Sequence, residues 1–203
     1  GTIFMINNEK DFREVLKDVT KVYHDRIEST PLAVSLASGN VYLQKYVDYL
    51  WHLYKLHLDL ENKAKSFSEW EKLGIVIKDR QRAHLLKKDI DSLDLVPNQY
   101  ESYQDFSKNW SFANIVGAMY VLEGSTMGGQ ILSQRLENIK SKNGQGATNY
   151  FKAYEKETMT MWMKYVEFLN EFSNKNNSLK DEIIEGAEQT YGAIERIMLE
   201  VGD

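Results

Sequence analysis

The sequence predicts an all-α fold, and three observations carry that prediction. Apolar residues recur at i, i+3, i+4 and i+7 in successive segments, the period of an amphipathic helix rather than of a strand. Only two prolines, Pro31 and Pro97, interrupt the 203 residues, so long helices meet few breakers. Turn-forming residues collect at a few places, chiefly Gly39-Asn40 and residues 141–147 and 173–177. No internal repeat, linker or low-complexity tract divides the chain, which reads as one multi-helical domain over residues 1–203.

The first helix is expected over about residues 8–28. Phe12, Val15, Leu16, Val19, Val22, Tyr23 and Ile27 fall in one apolar stripe at about 100° per residue. Lys17, Thr20, His24 and Glu28 form a second row along its border, where a helix can touch a ligand while its apolar face stays in the core. Pro31 ends or redirects this helix. Gly39-Asn40 turns the chain into a second long helix, about residues 41–67. Its centre, Tyr49 to His57, is apolar nearly all round, as in a helix covered on more than one side. A third helix is expected over about 77–95, with Leu85, Leu86, Ile90 and Leu93 facing inward. Pro97 opens a polar connection with a short helix near 103–106. A helix over about 112–140 follows, then a loop at 141–147, a Met- and aromatic-rich helix over about 149–172 and a second loop at 173–177. The last helix starts near Ser178, with Asp181 three residues on as a variant of the capping box, and runs to about residue 200.

Composition narrows the function. A net charge of -5 argues against nucleic acid, which calls for a clustered basic excess. Without cysteine there is no disulfide, thiolate nucleophile or cysteine-held metal. No apolar run approaches the roughly 20 residues that span a bilayer. Residues 1–11 lack the basic and apolar regions of a signal peptide. The expectation is a cytoplasmic protein with no membrane partner.

Two places ask for chemistry. The helix over 112–140 carries Gly117, Gly124, Gly128 and Gly129, and each interior helical glycine costs about 1 kcal/mol relative to alanine. Ala113, Gly117, Gly124 and Gly128 lie within about 60° of one another on the helical wheel. Close helix–helix packing explains such a row; so does a flat ligand lying across exposed backbone. The consecutive Gly128-Gly129 favours the ligand, because a packing seam requires only the spaced positions. Ser125 adds a hydroxyl at that surface. The second place is His24. A neutral imidazole is a standard axial ligand for heme iron, and Glu28, one turn on, can polarise it. A purely structural histidine is the other reading. Lys17 lies about 10 Å from His24 along the axis, a reach that suits a cation meeting a carboxylate at the rim of a large planar ligand.

The remaining candidates are weaker. His52 and His57 are five apart, about 140° round the helix, so they make no paired metal site. His84, among Arg82, Lys87 and Lys88, reads as solvent-facing. No histidine follows a Glu by three residues, which disfavours a di-iron carboxylate site.

Two segments together resemble the heme oxygenase family, especially its bacterial members found with phytochromes. Residues 16–28, LKDVTKVYHDRIE, resemble the family's proximal helix, and residues 120–132, YVLEGSTMGGQIL, resemble its distal helix. Residues 50–54, 82–95 and 187–194 extend the similarity in the same order along the chain. The resemblance implies a bundle that holds heme between those two helices. It implies His24 as the axial iron ligand, with Thr20 and Glu28 beside it, and Lys17, Lys152 and Lys156 toward the heme propionates. Gly124, Gly128 and Gly129 are implied as the backbone over which heme lies, with Tyr120 near its edge. Many members carry aspartate where this chain has Ser125, which can hold a water but supplies no carboxylate. The implied activity is oxidative opening of heme to biliverdin, carbon monoxide and ferrous iron. In that reaction heme is both substrate and cofactor, dioxygen is consumed, and an external reductase or ferredoxin is the electron-donating partner. Gly124 and Ser125 would then stand at the reacting face. A heme carrier without turnover is the alternative on the same scaffold. A thiamin-degrading relative is disfavoured by the absence of a cysteine nucleophile.

Overall fold

The computed structural model describes residues 11–100 and 105–202, whose regular structure is helical apart from one isolated β-bridge between Lys140 and Gly146. Helix α1 (Phe12–Glu28) is capped by Asp11, whose carboxylate accepts the Glu14 N–H at 2.9 Å. The expected start near residue 8 lies outside the described residues. Phe12, Leu16 and Thr20 are buried, whereas Val19 and Val22 are 40% and 53% exposed, so the inward stripe is narrower than the periodicity suggests. Pro31 does more than end α1. It is the first residue of helix α2 (Pro31–Ser38), where a missing N–H costs nothing, and Thr30 accepts the Ala33 N–H as N-cap. Gly39, at φ 76°, closes α2.

Helix α3 (Leu43–Lys65) is covered on several sides, as its apolar centre predicts, and it also buries Asp48, His52, His57 and Glu61. A one-turn helix α4 (Glu69–Lys72) seats the buried Trp70, whose Nε1–H donates to the Ala64 carbonyl at 2.9 Å. The single helix expected over 77–95 is in fact a 3-10 turn (Ile77–Arg80) followed by helix α5 (Ala83–Leu93). Arg80 and Arg82 sit at that break, both buried. Of the short helix expected near 103–106, residues 101–104 lie outside the described residues, and the next five form turns.

Helix α6 (Phe112–Arg135) begins with a capping box made by Ser111 and Asn114 and stops five residues before the expected end. The helix expected over 149–172 is broken into helix α7 (Asn149–Lys152), a 3-10 turn (Glu155–Glu157) and helix α8 (Thr158–Lys175). Ala153, at φ 50°, is where the helical path fails. Helix α9 (Lys180–Val201) starts after a 3-10 turn (Asn177–Leu179) with no side-chain cap, so the Ser178–Asp181 box does not form.

The long helices share one apolar core that includes Leu16, Leu50, Ile115, Leu169, Ile183 and Ile197. Helix α6 packs chiefly against α9, and α1 packs on α9 and α8. The α6–α9 crossing is close because glycine meets backbone on both sides. A Cβ at Gly117 would fall on the Ile183 carbonyl oxygen, and one at Gly186 on the Asn114 carbonyl oxygen. Tyr165 of α8 adds a buried hydrogen bond from its hydroxyl to the Val116 carbonyl, 2.6 Å.

Candidate active site

The four glycines of α6 do different things. Gly117 belongs to the α9 seam, so close packing accounts for it. Gly129 is also taken up by packing: a Cβ there would lie 2.8 Å from the Phe151 carbonyl oxygen of α7. Gly124 meets a side chain instead, the Trp162 indole of α8, 3.3 Å from where its Cβ would be. Gly128 meets nothing within 4 Å. It is exposed, as is Ser125, one turn before it. The ligand-facing candidates on α6 are therefore Gly124, Ser125 and Gly128, with Gly129 turned toward the fold.

Another predicted site residue, His24, lies on α1. Its side chain is 55% exposed, with Nε2 3.7 Å from Glu28 Oε1, and its ring stands edge-on to Tyr191 of α9 at 6.5 Å between centroids. Asp25 completes an exposed group with ligand atoms within 4.8 Å. Thr20, one turn before His24, is buried and donates from Oγ1 to the Leu16 carbonyl at 2.7 Å. Its hydroxyl also lies against those of Tyr120 and Tyr191, so α1, α6 and α9 meet at one polar knot. Burial raises the pKa of both tyrosines, and both stay protonated. His24 lies one turn from Thr20 along α1, and Gly124 one turn from Tyr120 along α6, so both sit within about 6 Å of axial travel from that knot. Arg13, at the start of α1, places its guanidinium 6.0 Å from the centroid of Trp162, which in turn packs on Tyr120 at 5.7 Å.

The structure leaves the predicted cations outside. Lys17, Lys152 and Lys156 are all exposed, and no ion pair involving them occurs among the described residues. The Lys152 carbonyl, rather than its ammonium, ties into α6, accepting from Gln130 Nε2 at 3.0 Å. His84 is exposed, as its neighbours suggest.

Behind α6 lies a buried polar assembly that the spacing arguments do not bring out. Glu123, fully buried, accepts from Arg80 Nη1 at 3.1 Å and from the Tyr154 hydroxyl at 2.7 Å. Burial raises its pKa, and Arg82 and Arg80 oppose that rise. Arg82 donates to the Leu122 carbonyl at 2.6 Å and lies over the rings of Tyr150 and Tyr154, with its Nε–H buried and unpartnered. His57, nearly fully buried, joins Glu61 through Nδ1 at 2.8 Å and Tyr150 through Nε2 at 2.8 Å. The Tyr150 hydroxyl also borders Ser125, whose Oγ donates to the Leu122 carbonyl at 2.7 Å. Arg82, a sequence neighbour of the exposed His84, is itself buried, because the chain turns inward at the break before α5. His57 pairs with Glu61 and Tyr150 rather than with His52. The legible signal is its i, i+4 spacing to Glu61, which puts both on one helix face.

The chain is similar to known proteins along nearly its whole length. The family model described as heme oxygenase matches residues 10–200. A curated heme oxygenase of Takifugu rubripes is 40% identical over 62 residues, 30% of this chain and 22% of the relative, so the match spans less than a quarter of that protein. A solved heme oxygenase of Leptospira interrogans is 19% identical with a TM-score of 0.72, covering 94% of this chain and all of the other. The heme complex of a Synechocystis heme oxygenase reaches a TM-score of 0.75 at 15% identity, covering 94% and 92% of the two chains. At these identities the solved structures speak for the fold.

Proposed function

The chain belongs to the heme oxygenase family, and on that premise we propose that it opens heme oxidatively to biliverdin, carbon monoxide and ferrous iron. The observation that carries the proposal is Gly128, an interior helical glycine with no packing partner. Glycine there costs the helix about 1 kcal/mol and leaves bare backbone beside an exposed serine. A flat macrocycle fits such a surface, since any Cβ would stand where the ring must lie. His24 supports the same reading from α1, with a half-exposed imidazole that can take an axial position on iron. Heme as substrate supplies the iron and the carbon skeleton that is cut. The chain's own tasks are to orient it, exclude bulk water and deliver protons near Ser125.

In this proposal His24 is the iron ligand, Thr20 and Glu28 flank it, and Tyr120, Gly124, Ser125 and Gly128 line the opposite wall. Gly129 acts indirectly by holding that wall against Phe151. Lys17, Lys152 and Lys156 are exposed cations free to swing toward heme carboxylates. The chain works as one helical domain, in line with its shared core. It works in the cytoplasm, with dioxygen as co-substrate and a reductase or ferredoxin as electron donor.

The test is a heme titration followed by product analysis under aerobic, reducing conditions. A histidine-ligated spectrum and a bilin product are expected from the parent, and loss of both from His24→Ala. If His24→Ala binds and degrades heme as the parent does, the assignment fails. A heme carrier is the second reading, favoured by the Ser125 hydroxyl, which puts no carboxylate at the reacting face. Bound heme that is never converted under steady electron supply identifies that case.

A further inference from the structure

The His57–Tyr150 assembly has a polarity that can be worked out from its far end. Glu61 Oε2 accepts the backbone N–H groups of Arg82 and Ala83, both at 3.0 Å, where α5 begins. Burial opposes its charge, but the His57 ring N–H and these amides hold its pKa below the usual carboxylate range. An ionised Glu61 can only accept, so His57 carries its proton on Nδ1. His57 Nε2 is then an acceptor, and the Tyr150 hydroxyl donates to it. Burial, with a further push from Arg82, keeps His57 neutral against the pull of Glu61. Arg82, which lies over the Tyr150 ring, and Ser125 both donate to the Leu122 carbonyl, at 2.6 and 2.7 Å, so the Ser125 and Tyr150 hydroxyls are neighbours. Asp89 fixes that placement by accepting the N–H groups of Asn149 and Tyr150 at 3.0 and 2.9 Å.

We infer that Tyr150, backed by His57 and Glu61, is a positioning residue that passes protons through Ser125 to the reacting face of α6. The inference rests on the heme reading above. The arrangement in the structure is the discharged form. In the charged form His57 also holds a proton on Nε2, and Tyr150 turns its O–H toward Ser125. Discharge moves the Nε2 proton to the Tyr150 oxygen, the Tyr150 proton to Ser125 Oγ, and the Ser125 proton to the acceptor at the α6 surface. Each oxygen ends with one proton, His57 ends neutral, Glu61 is unchanged, and no electrons move. Recharging runs the same path backward from solvent once the product has left, when Ser125 is exposed as it is in the structure. The charged groups facing His57 set the balance: Glu61 on its own helix favours the protonated ring, and Arg82, itself facing Glu123, opposes it.

Two measurements test this. In the protein without heme, nitrogen NMR of His57 is expected to show the Nδ1–H tautomer, changed in Glu61→Gln. An Nε2–H tautomer in the parent overturns the polarity and with it the relay. With heme added, Tyr150→Phe is expected to bind with unchanged affinity and spectrum. It should form bilin on the order of ten-fold more slowly, with a steeper loss of rate as pH rises. A rate and pH profile equal to the parent's overturns the inference. A parent that binds no heme or yields no bilin overturns the underlying reading instead, so the two failures are separate.

Discussion

At the scale of single residues, Gly117 and Gly128 make opposite predictions from identical chemistry. Gly117→Ala drives a methyl into the Ile183 carbonyl, and the α6–α9 crossing must open. The expected loss is about 1–3 kcal/mol or more in urea unfolding. Gly128→Ala has open space and should gain up to about 1 kcal/mol from helix propensity, while weakening heme binding or slowing ring opening. A stabilised Gly128→Ala variant with parental heme affinity and turnover would remove the case for a ligand there. The sequence displays both glycines with equal weight, because the cost of a helical glycine does not depend on what lies beyond it. Only the neighbours, which come from distant segments, assign each one. The same limit applies to Arg80, whose burial against Glu123 is invisible in its local pattern. Arg80→Met leaves that carboxylate without its ion pair and should cost about 3–5 kcal/mol, read as a lowered midpoint of thermal unfolding.

At the scale of elements, the long helices α3, α6 and α9 were legible to within a few residues, because their apolar period persists over many turns. The breaks before α5 and α8 were not, since neither carries a proline or glycine. The turn after α7 rests on Ala153, whose φ of 50° and ψ of -111° lie where a Cβ is crowded. Ala153→Gly should therefore stabilise the protein, on the order of 1 kcal/mol in denaturant titration. A loss instead would mean that the alanine methyl packs more than its backbone strains. Val19 and Val22 mark another limit. Their spacing fits the apolar stripe of α1, yet they face out, because α1 packs chiefly on α9 and α8 through a narrower face that includes Leu16 and Thr20.

At the scale of the whole molecule, buried titratable groups set the response to pH. His57 and His52 are both held below the usual 6.5, burial being the first cause in each. The unfolded chain therefore takes up protons that the folded chain refuses, and stability is lost as pH falls below about 6.5. Glu123 and Asp89, raised by burial, act with the opposite sign, and their cost fades as they protonate at lower pH. The thermal midpoint should fall between pH 7 and pH 5.5, with a shallower slope in His57→Gln; a flat profile in the parent would refute this. The two backbone contacts of α6, at 117 and 129, have a consequence for the thermodynamics of binding. They lie about 18 Å apart along the axis, and the span between them can neither slide nor roll without lifting a glycine off a carbonyl. That stretch has surrendered its conformational entropy on folding, before any ligand arrives. The ordering cost of association then falls on His24, Trp162 and α1 rather than on the helix that carries the glycines.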